Sequence, residues 1–355
     1  MKKAAIGQRD MICPLFSTVD EVLQDPAALA LIPADARTGV AALARRLPEA
    51  MHGFGFELRL QPHLAAVDFY TSVAARGGGR EIWGRAPAMI ADASPADTRA
   101  WQRVGAFAAR WADPSSSLHT PIEMVFLEFD APFTAARPPS IFARVDAAIG
   151  DGAQQWAQAA PVVDELAHTL LGQPVDAATR VQLSAVFRAL PLGGRVIDVA
   201  VMLPRQQMAV RLFISVPRAR LSGYLDALGW ADEAAQLPGV LHALFPASAQ
   251  VSLQIDVSAS VGRRIGVELS PALSKKTGDE WGTIGDRLQT FGLCAREQAE
   301  ALERWPGTGA PVAVAGRWPS QAVRLISHVK IVLEPPRPIE AKVYLWVTRR
   351  FAAVA

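Results

Sequence analysis

Cysteine is nearly absent. Two residues, Cys13 and Cys294, occur in 355, and no CxxC pair exists. That excludes a disulfide framework and a cysteine-rich zinc site, and it points to a reducing, cytoplasmic setting. No run of about 18 apolar residues is present, so no membrane-spanning helix is expected. The amino terminus carries Lys2 and Lys3, but Gln8, Arg9 and Asp10 break the apolar stretch behind them, so a signal peptide is not expected. Charge of one sign is lacking too. Thirty-six basic side chains meet 34 acidic ones for a net +2, which leaves no bulk field for nucleic acid. The common catalytic signatures are missing: no HExxH, no GxSxG, no GxGxxG between a strand and a helix, and no DDxxD. The six histidines are scattered without metal-ligand spacing. Gly77-Gly78-Gly79 lacks the GK[ST] of a phosphate loop and predicts a mobile turn.

What is present is a recurrence. Five times, two short alternating strands come as a pair behind a helical stretch. The pairs are FGFELRLQ with AVDFYTSV, EMVFLEFD with PSIFARVD, VIDVAVML with AVRLFISV, VSLQIDVS with RRIGVELS, and SHVKIVLE with EAKVYLWV. Turn residues separate the members of each pair, among them Pro62-His63 and Pro335 to Pro338. The helical stretches are 37–50, 97–112, 153–171 with 176–190, 218–229 with 231–245, and 279–304. Asp97 is the expected cap of the second, whose stripe is Trp101, Val104, Phe107, Ala108 and Trp111. The alternation continues end to end, which predicts a single domain over 1–355. The basic pairs Lys275-Lys276 and Arg349-Arg350 are expected in solvent.

Ten antiparallel strands in an open sheet would leave two edges and accumulate twist, and closure removes the edges. The expected fold is therefore α+β, a ten-stranded antiparallel barrel of five helix-plus-hairpin units with the helices outside. The apolar faces, Ile197 included, meet the helices. The opposite faces point inward and form a polar chamber wide enough for a small ligand. Separate antiparallel sheets with solvated polar faces give the same alternation, so both architectures stand at this point.

Five helix-plus-hairpin units around a solvated chamber resemble the ABBA-type aromatic prenyltransferases. The sharpest local match is the last hairpin, AKVYL, where Lys342 and Tyr344 fit the family's inward Lys-x-Tyr. Arg144 in FARVD and Arg211 in VRLFISV fit its diphosphate-binding positions. Glu57 resembles the acid that indole-using members set against the acceptor. The resemblance implies transfer of a prenyl group from an allylic diphosphate to an aromatic or peptide-borne acceptor, with neither nucleic acid nor membrane as partner.

The chemistry asks for three kinds of group. Cations hold the leaving diphosphate: Arg59, Arg144, Arg211, Lys330 and Lys342, with Tyr344. Aromatic faces shelter the carbocation: Tyr70, Phe142, Phe213 and Trp346, with His328 on the same lining. A carboxylate serves the acceptor, and Glu57 is the candidate. No metal ligand set is expected and no cofactor is required; magnesium bridging carboxylates to diphosphate is compatible. The inward face also carries Asp68, Glu128, Asp198, Asp256 and Glu268, more acid than a diphosphate cage needs. Two other readings therefore remain open: a barrel with different chemistry, such as maturation of a ribosomal peptide, and a non-catalytic barrel whose cations are all spent on interior carboxylates.

Overall fold

The computed structural model describes residues 15–49, 51–61, 66–85, 94–133, 137–145, 151–205, 208–230, 235–246, 248–270, 278–312 and 319–351. The Pro62-His63 turn, Cys13 and the Lys275-Lys276 pair lie outside these. All ten expected strands form: β1 (Gly53–Arg59), β2 (Val67–Ala74), β3 (Ile122–Phe129), β4 (Ser140–Val145), β5 (Arg195–Val201), β6 (Val210–Pro217), β7 (Gln250–Val257), β8 (Val261–Leu269), β10 (Ser320–Leu333) and β11 (Glu340–Phe351). A two-residue strand, β9 (Gly307–Thr308), pairs with the outer end of β10.

Every pairing is antiparallel, each strand beside its sequence neighbour in the ring. The last strand, β11, pairs with both β10 and β1, so the sheet closes on itself. Closure decides between the two architectures left open by the alternation. All five hairpin turns fall at one end of the barrel, because each pair turns back at once while the helices make the connections between pairs.

The helices are α1 (Leu15–Leu23), α2 (Pro26–Leu31), α3 (Ala34–Ala44), α4 (Gly79–Gly84), α5 (Pro95–Ala112), α6 (Gly152–Leu171), α7 (Ala177–Arg188), α8 (Leu221–Ala227), α9 (Leu237–Leu244), α10 (Gly278–Thr290) and α11 (Arg296–Glu303). One continuous apolar cluster joins their inner stripes to the outward strand residues, from Phe56 and Phe69 to Val343 and Val347. A second cluster, Phe142, Ala200, Met202 and Phe213 with Phe126 and Ile197, is separate from it. The two clusters are the two faces of one sheet. Buried aromatics on the helix side keep their polar atoms satisfied: Trp111 Nε1 donates to the Ile122 carbonyl at 3.0 Å and Trp305 Nε1 to the Leu325 carbonyl at 3.1 Å.

Three local expectations are corrected. Ile197 faces inward, because a register shift between Val196 and Asp198 inserts one residue and hands the outward place to Val196. The cap of α5 is Ser94, whose Oγ accepts the Asp97 N–H at 3.2 Å and donates to the Asp97 carboxylate at 2.7 Å. The glycine triplet does form a turn, in which Gly77 and Gly78 take φ of 73° and 81° and lead into α4. Arg349 is buried; its guanidinium holds Glu21 at 3.1 Å, Thr18 at 2.9 Å and Ser320 at 3.1 Å, tying α1 to the barrel.

Glycine keeps the chamber from being overfilled near the seam. A Cβ on Gly55 would overlap both the Leu345 carbonyl oxygen and the Tyr70 ring, which crosses β1 to donate to that same carbonyl at 2.8 Å. Gly55→Ala is expected to lower stability by about 1–3 kcal/mol through overpacking. Gly105→Ala, at an exposed site of α5 with nothing within 4 Å, is expected to raise it by ~0.5–1 kcal/mol. Thermal unfolding of the two variants checks the opposite signs.

Candidate active site

The strand register dictates what meets inside. Across the closing seam Glu57 stands opposite Tyr344, with Lys342 one step nearer the turn and opposite Arg59. On the other side of β11, Lys330 faces Lys342 and His328 faces Tyr344. Glu57 is 3% exposed and receives Lys342 Nζ on one carboxylate oxygen and the Tyr344 hydroxyl on the other. Lys330 Nζ donates to the Tyr344 hydroxyl at 2.7 Å and lies 3.7 Å from Glu57. Its stem passes over Gly266, where a Cβ would meet Lys330 Cε at 2.8 Å. The absence of a side chain at Gly266 is therefore what admits Lys330.

Burial opposes the charge on Glu57, but Lys342 and Lys330 overcome it and hold the carboxyl well below its usual range. Burial lowers Lys330 to about 8 in spite of Glu57 and Glu268. Nearby carboxyls move the other way. Burial, then repulsion from Glu57, raises Glu128 to about 7 and Asp68 to about 6. Glu128 is 8% exposed, and its nearest cation, Arg205, is 3.8 Å away.

Four further cations of the inward strand faces are each held by an acid. Arg211 forks onto Asp256 at 2.7 and 2.8 Å, Arg144 onto Asp198 at 3.0 and 3.2 Å, Arg59 reaches Asp68 at 3.4 Å, and Arg264 reaches Glu334 at 3.1 Å. His328 lies 3.3 Å from Glu268 and stacks on Tyr344 with centroids 4.1 Å apart.

A cavity of about 880 Å³ opens at the hairpin end. Its lining holds eight basic side chains against five carboxylates. Arg59, Arg211 and Lys342 are among the basic ones, with Arg264 of β8 and with Arg205 and Arg337, which sequence reasoning did not select. Arg205 and Arg337 sit in turns, where a basic residue reads as an ordinary solvated one; only closure brings the five turns to one mouth. Lys330 and Tyr344 lie behind this cavity, against Glu57. Arg144 does not line it and belongs with Asp198.

Deeper in, the aromatics form two groups. Phe142 and Phe213 meet edge to face with centroids 5.4 Å apart. Tyr70 stacks on Trp346 at 5.7 Å and leans on Tyr344 at 5.8 Å. A filled, non-catalytic barrel would need every cation spent and no room for a ligand; the first condition holds for Arg144, Arg211 and Lys342, and the cavity denies the second. Among the described residues no group of three His, Cys, Asp or Glu is placed to hold a metal ion, and no helix is long and apolar enough to cross a membrane.

No protein-family model matches the chain, and no curated protein matches it. Solved structures do. A 5-dimethylallyl tryptophan synthase from Streptomyces coelicolor in complex with DMASPP and Trp is similar at 12% identity, with a TM-score of 0.53 over 94% of this chain and 95% of that one. Another structure of 5-dimethylallyltryptophan synthase from the same organism is similar at 14% identity, with a TM-score of 0.52 over 94% and 98%. At such identity the likeness is one of fold: the chain has the closed barrel of the ABBA prenyltransferases.

The raised carboxyls give a sign for pH. A group whose folded pKa lies above its unfolded value adds stability that is complete below the unfolded value and lost as pH rises through the folded one. For Glu128 that window runs from 4.5 to about 7, and Asp68 acts in the same direction up to about 6. Glu57, held low, loses its contribution only below this window. Glu128→Gln is therefore expected to unfold at the same temperature as the parent near pH 5 and higher at pH 8, by about 2 °C for each ~1 kcal/mol relieved. Thermal scans at the two pH values test this.

Proposed function

We propose that this ABBA-fold barrel ionises an allylic diphosphate at its hairpin-end mouth and transfers the prenyl group to a nucleophilic acceptor held among the inner aromatics. The observation that carries the reading is the mouth cavity: basic side chains outnumber carboxylates around it, and two aromatic groups lie behind it. Prenyl transfer needs that order of charge, with an anion site outermost and a cation shelter behind.

The steps follow from the groups present. The allylic C–O bond breaks and its electron pair leaves with the diphosphate, whose growing charge Arg211, Lys342, Arg59 and Arg264 stabilise. The allylic cation sits against the faces of Phe142, Phe213, Tyr70 and Trp346, whose quadrupoles favour positive charge. The acceptor's electron pair forms the new bond to carbon, and the acceptor then releases a proton. Glu128, raised to about 7, is suited to take it at neutral pH. Glu57, ionised and held on both oxygens, fixes Lys342, Lys330 and Tyr344 in place.

Incubation with dimethylallyl or geranyl diphosphate and a panel of indoles, phenols and peptides, with and without magnesium, is expected to release diphosphate. Neither binding nor release of diphosphate under any of these conditions would contradict the reading. Lys342→Met and Arg211→Met are each expected to lower kcat/KM by about 10²-fold, the scale of one lost transition-state donor. Arg144→Met, away from the mouth, is expected to lower it by less than about tenfold; an equal loss in all three would place the anion elsewhere.

A further inference from the structure

A second cavity lies outside the barrel beside the mouth. It measures about 540 Å³ and runs between α5 and the turns that join β3 to β4 and β5 to β6. The stripe Trp101, Val104, Phe107, Ala108 and Trp111 turns α5 toward the core, so its other stripe is left outward. Ala96, Arg99, Ala100 and Arg103 recur on it at helical spacing and form one wall. The two alanines keep that wall low between the two arginines. Leu203, Pro204 and Met208 form the facing wall, and Arg137 closes the end nearest the mouth.

Two features set this groove apart. Inside the barrel Arg59, Arg144, Arg211 and Lys342 are each neutralised by a carboxylate. In the groove Arg99, Arg103 and Arg137 have no hydrogen bond or ion pair among the described residues. The single acid of the lining, Asp97, is engaged by Ser94. A bound anion gains more from such arginines than from cations already paired. The second feature is continuity. Arg137 and Met208 line both cavities, and Met202, on the groove's floor, packs against Phe142 and Phe213 inside the barrel.

We propose that the groove docks an acidic, partly apolar segment of a peptide acceptor, holding it beside the mouth while one of its side chains enters the chamber. The alternation of arginine with alanine, leucine and methionine suits a chain in which acidic and apolar side chains alternate. A compact anion would engage one arginine and leave the apolar wall unused. The peptide identity of the acceptor rests on the prenyl-transfer reading; the docking itself does not require it.

The test is binding, read independently of turnover. A fluorescein-labelled heptapeptide, Asp-Leu-Glu-Trp-Glu-Leu-Asp, and its counterpart with lysine at each acidic position are titrated with the full-length protein by anisotropy. The acidic peptide is expected to bind, to weaken with added salt, and to bind Arg99→Glu/Arg103→Glu at least roughly tenfold more weakly, a loss of about 1.4 kcal/mol or more. Because Arg103 lies against the end of α6 at Gly172, Arg99→Glu alone is measured as well and is expected to weaken binding with its unfolding temperature unchanged. Equal binding of the acidic and basic peptides, undiminished binding by both variants, or displacement by inorganic phosphate as potently as by unlabelled acidic peptide would overturn the proposal. Dimethylallyl thiodiphosphate is titrated in parallel. Its failure to bind the parent protein, with the acidic peptide still bound, would remove the prenyl-transfer reading and leave the groove standing.

Discussion

One buried carboxylate holds the two ends of the chain together. Glu57 belongs to the first strand and takes its partners from the last two, Lys342 and Tyr344 on β11 and Lys330 on β10. Those strands form the seam where the barrel closes. An ionised group in such a place is costly unless its lone pairs are filled and its charge is opposed, and here both conditions are met. The same set of groups then fixes what surrounds it. Lys330 needs the bare backbone of Gly266 to reach the seam. Tyr344 carries His328 on one face and leans on Tyr70. The negative field of Glu57 adds to burial in driving Glu128 and Asp68 toward their neutral forms.

The interior carboxylates take on a meaning from this. The inward cations Arg59, Arg144, Arg211, Arg264, Lys330 and Lys342 each come with a carboxylate partner, so the chamber is assembled from local pairs that keep long side chains extended and in register. The surplus of positive charge is displaced to the hairpin end, where the turn residues Arg205 and Arg337 join Arg211, Arg264 and Lys342 of the strands. Electrostatic polarity along the barrel axis, basic at the mouth and aromatic behind it, therefore arises from turn chemistry as much as from strand chemistry.

Much of this was legible in the sequence, and the parts that were not have physical reasons. Period-two alternation marks all ten strands, and its apolar positions, among them Phe56, Phe69, Val125, Leu212, Ile265, Val343 and Val347, pack in the outer cluster. The exception, Ile197, follows a bulge, and an inserted residue leaves no trace in a two-residue period. Lys342, Tyr344, Glu57 and Lys330 were selected separately and meet in one cluster, because strand parity places them on one face and the register across β10, β11 and β1 does the rest. By sequence Arg349 reads as a solvated end; its partner Glu21 lies in α1, more than three hundred residues away in sequence, and no local pattern announces such a pair. Arg205 and Arg337 escape a sequence reading for the same reason: a basic turn residue becomes part of a site only when closure brings five turns together.

The central claim is that the basic mouth binds an allylic diphosphate with its chain directed at the inner aromatics. A crystal structure with dimethylallyl thiodiphosphate, whose leaving group ionises poorly, tests it most directly. The account predicts phosphate oxygens within hydrogen-bonding distance of Arg211 and Lys342 and the five-carbon chain against Phe142, Phe213 or Tyr70. Phosphates bound only at the outer surface, or a chamber that stays empty at saturating analogue with Arg211 and Lys342 still on their carboxylates, would contradict it.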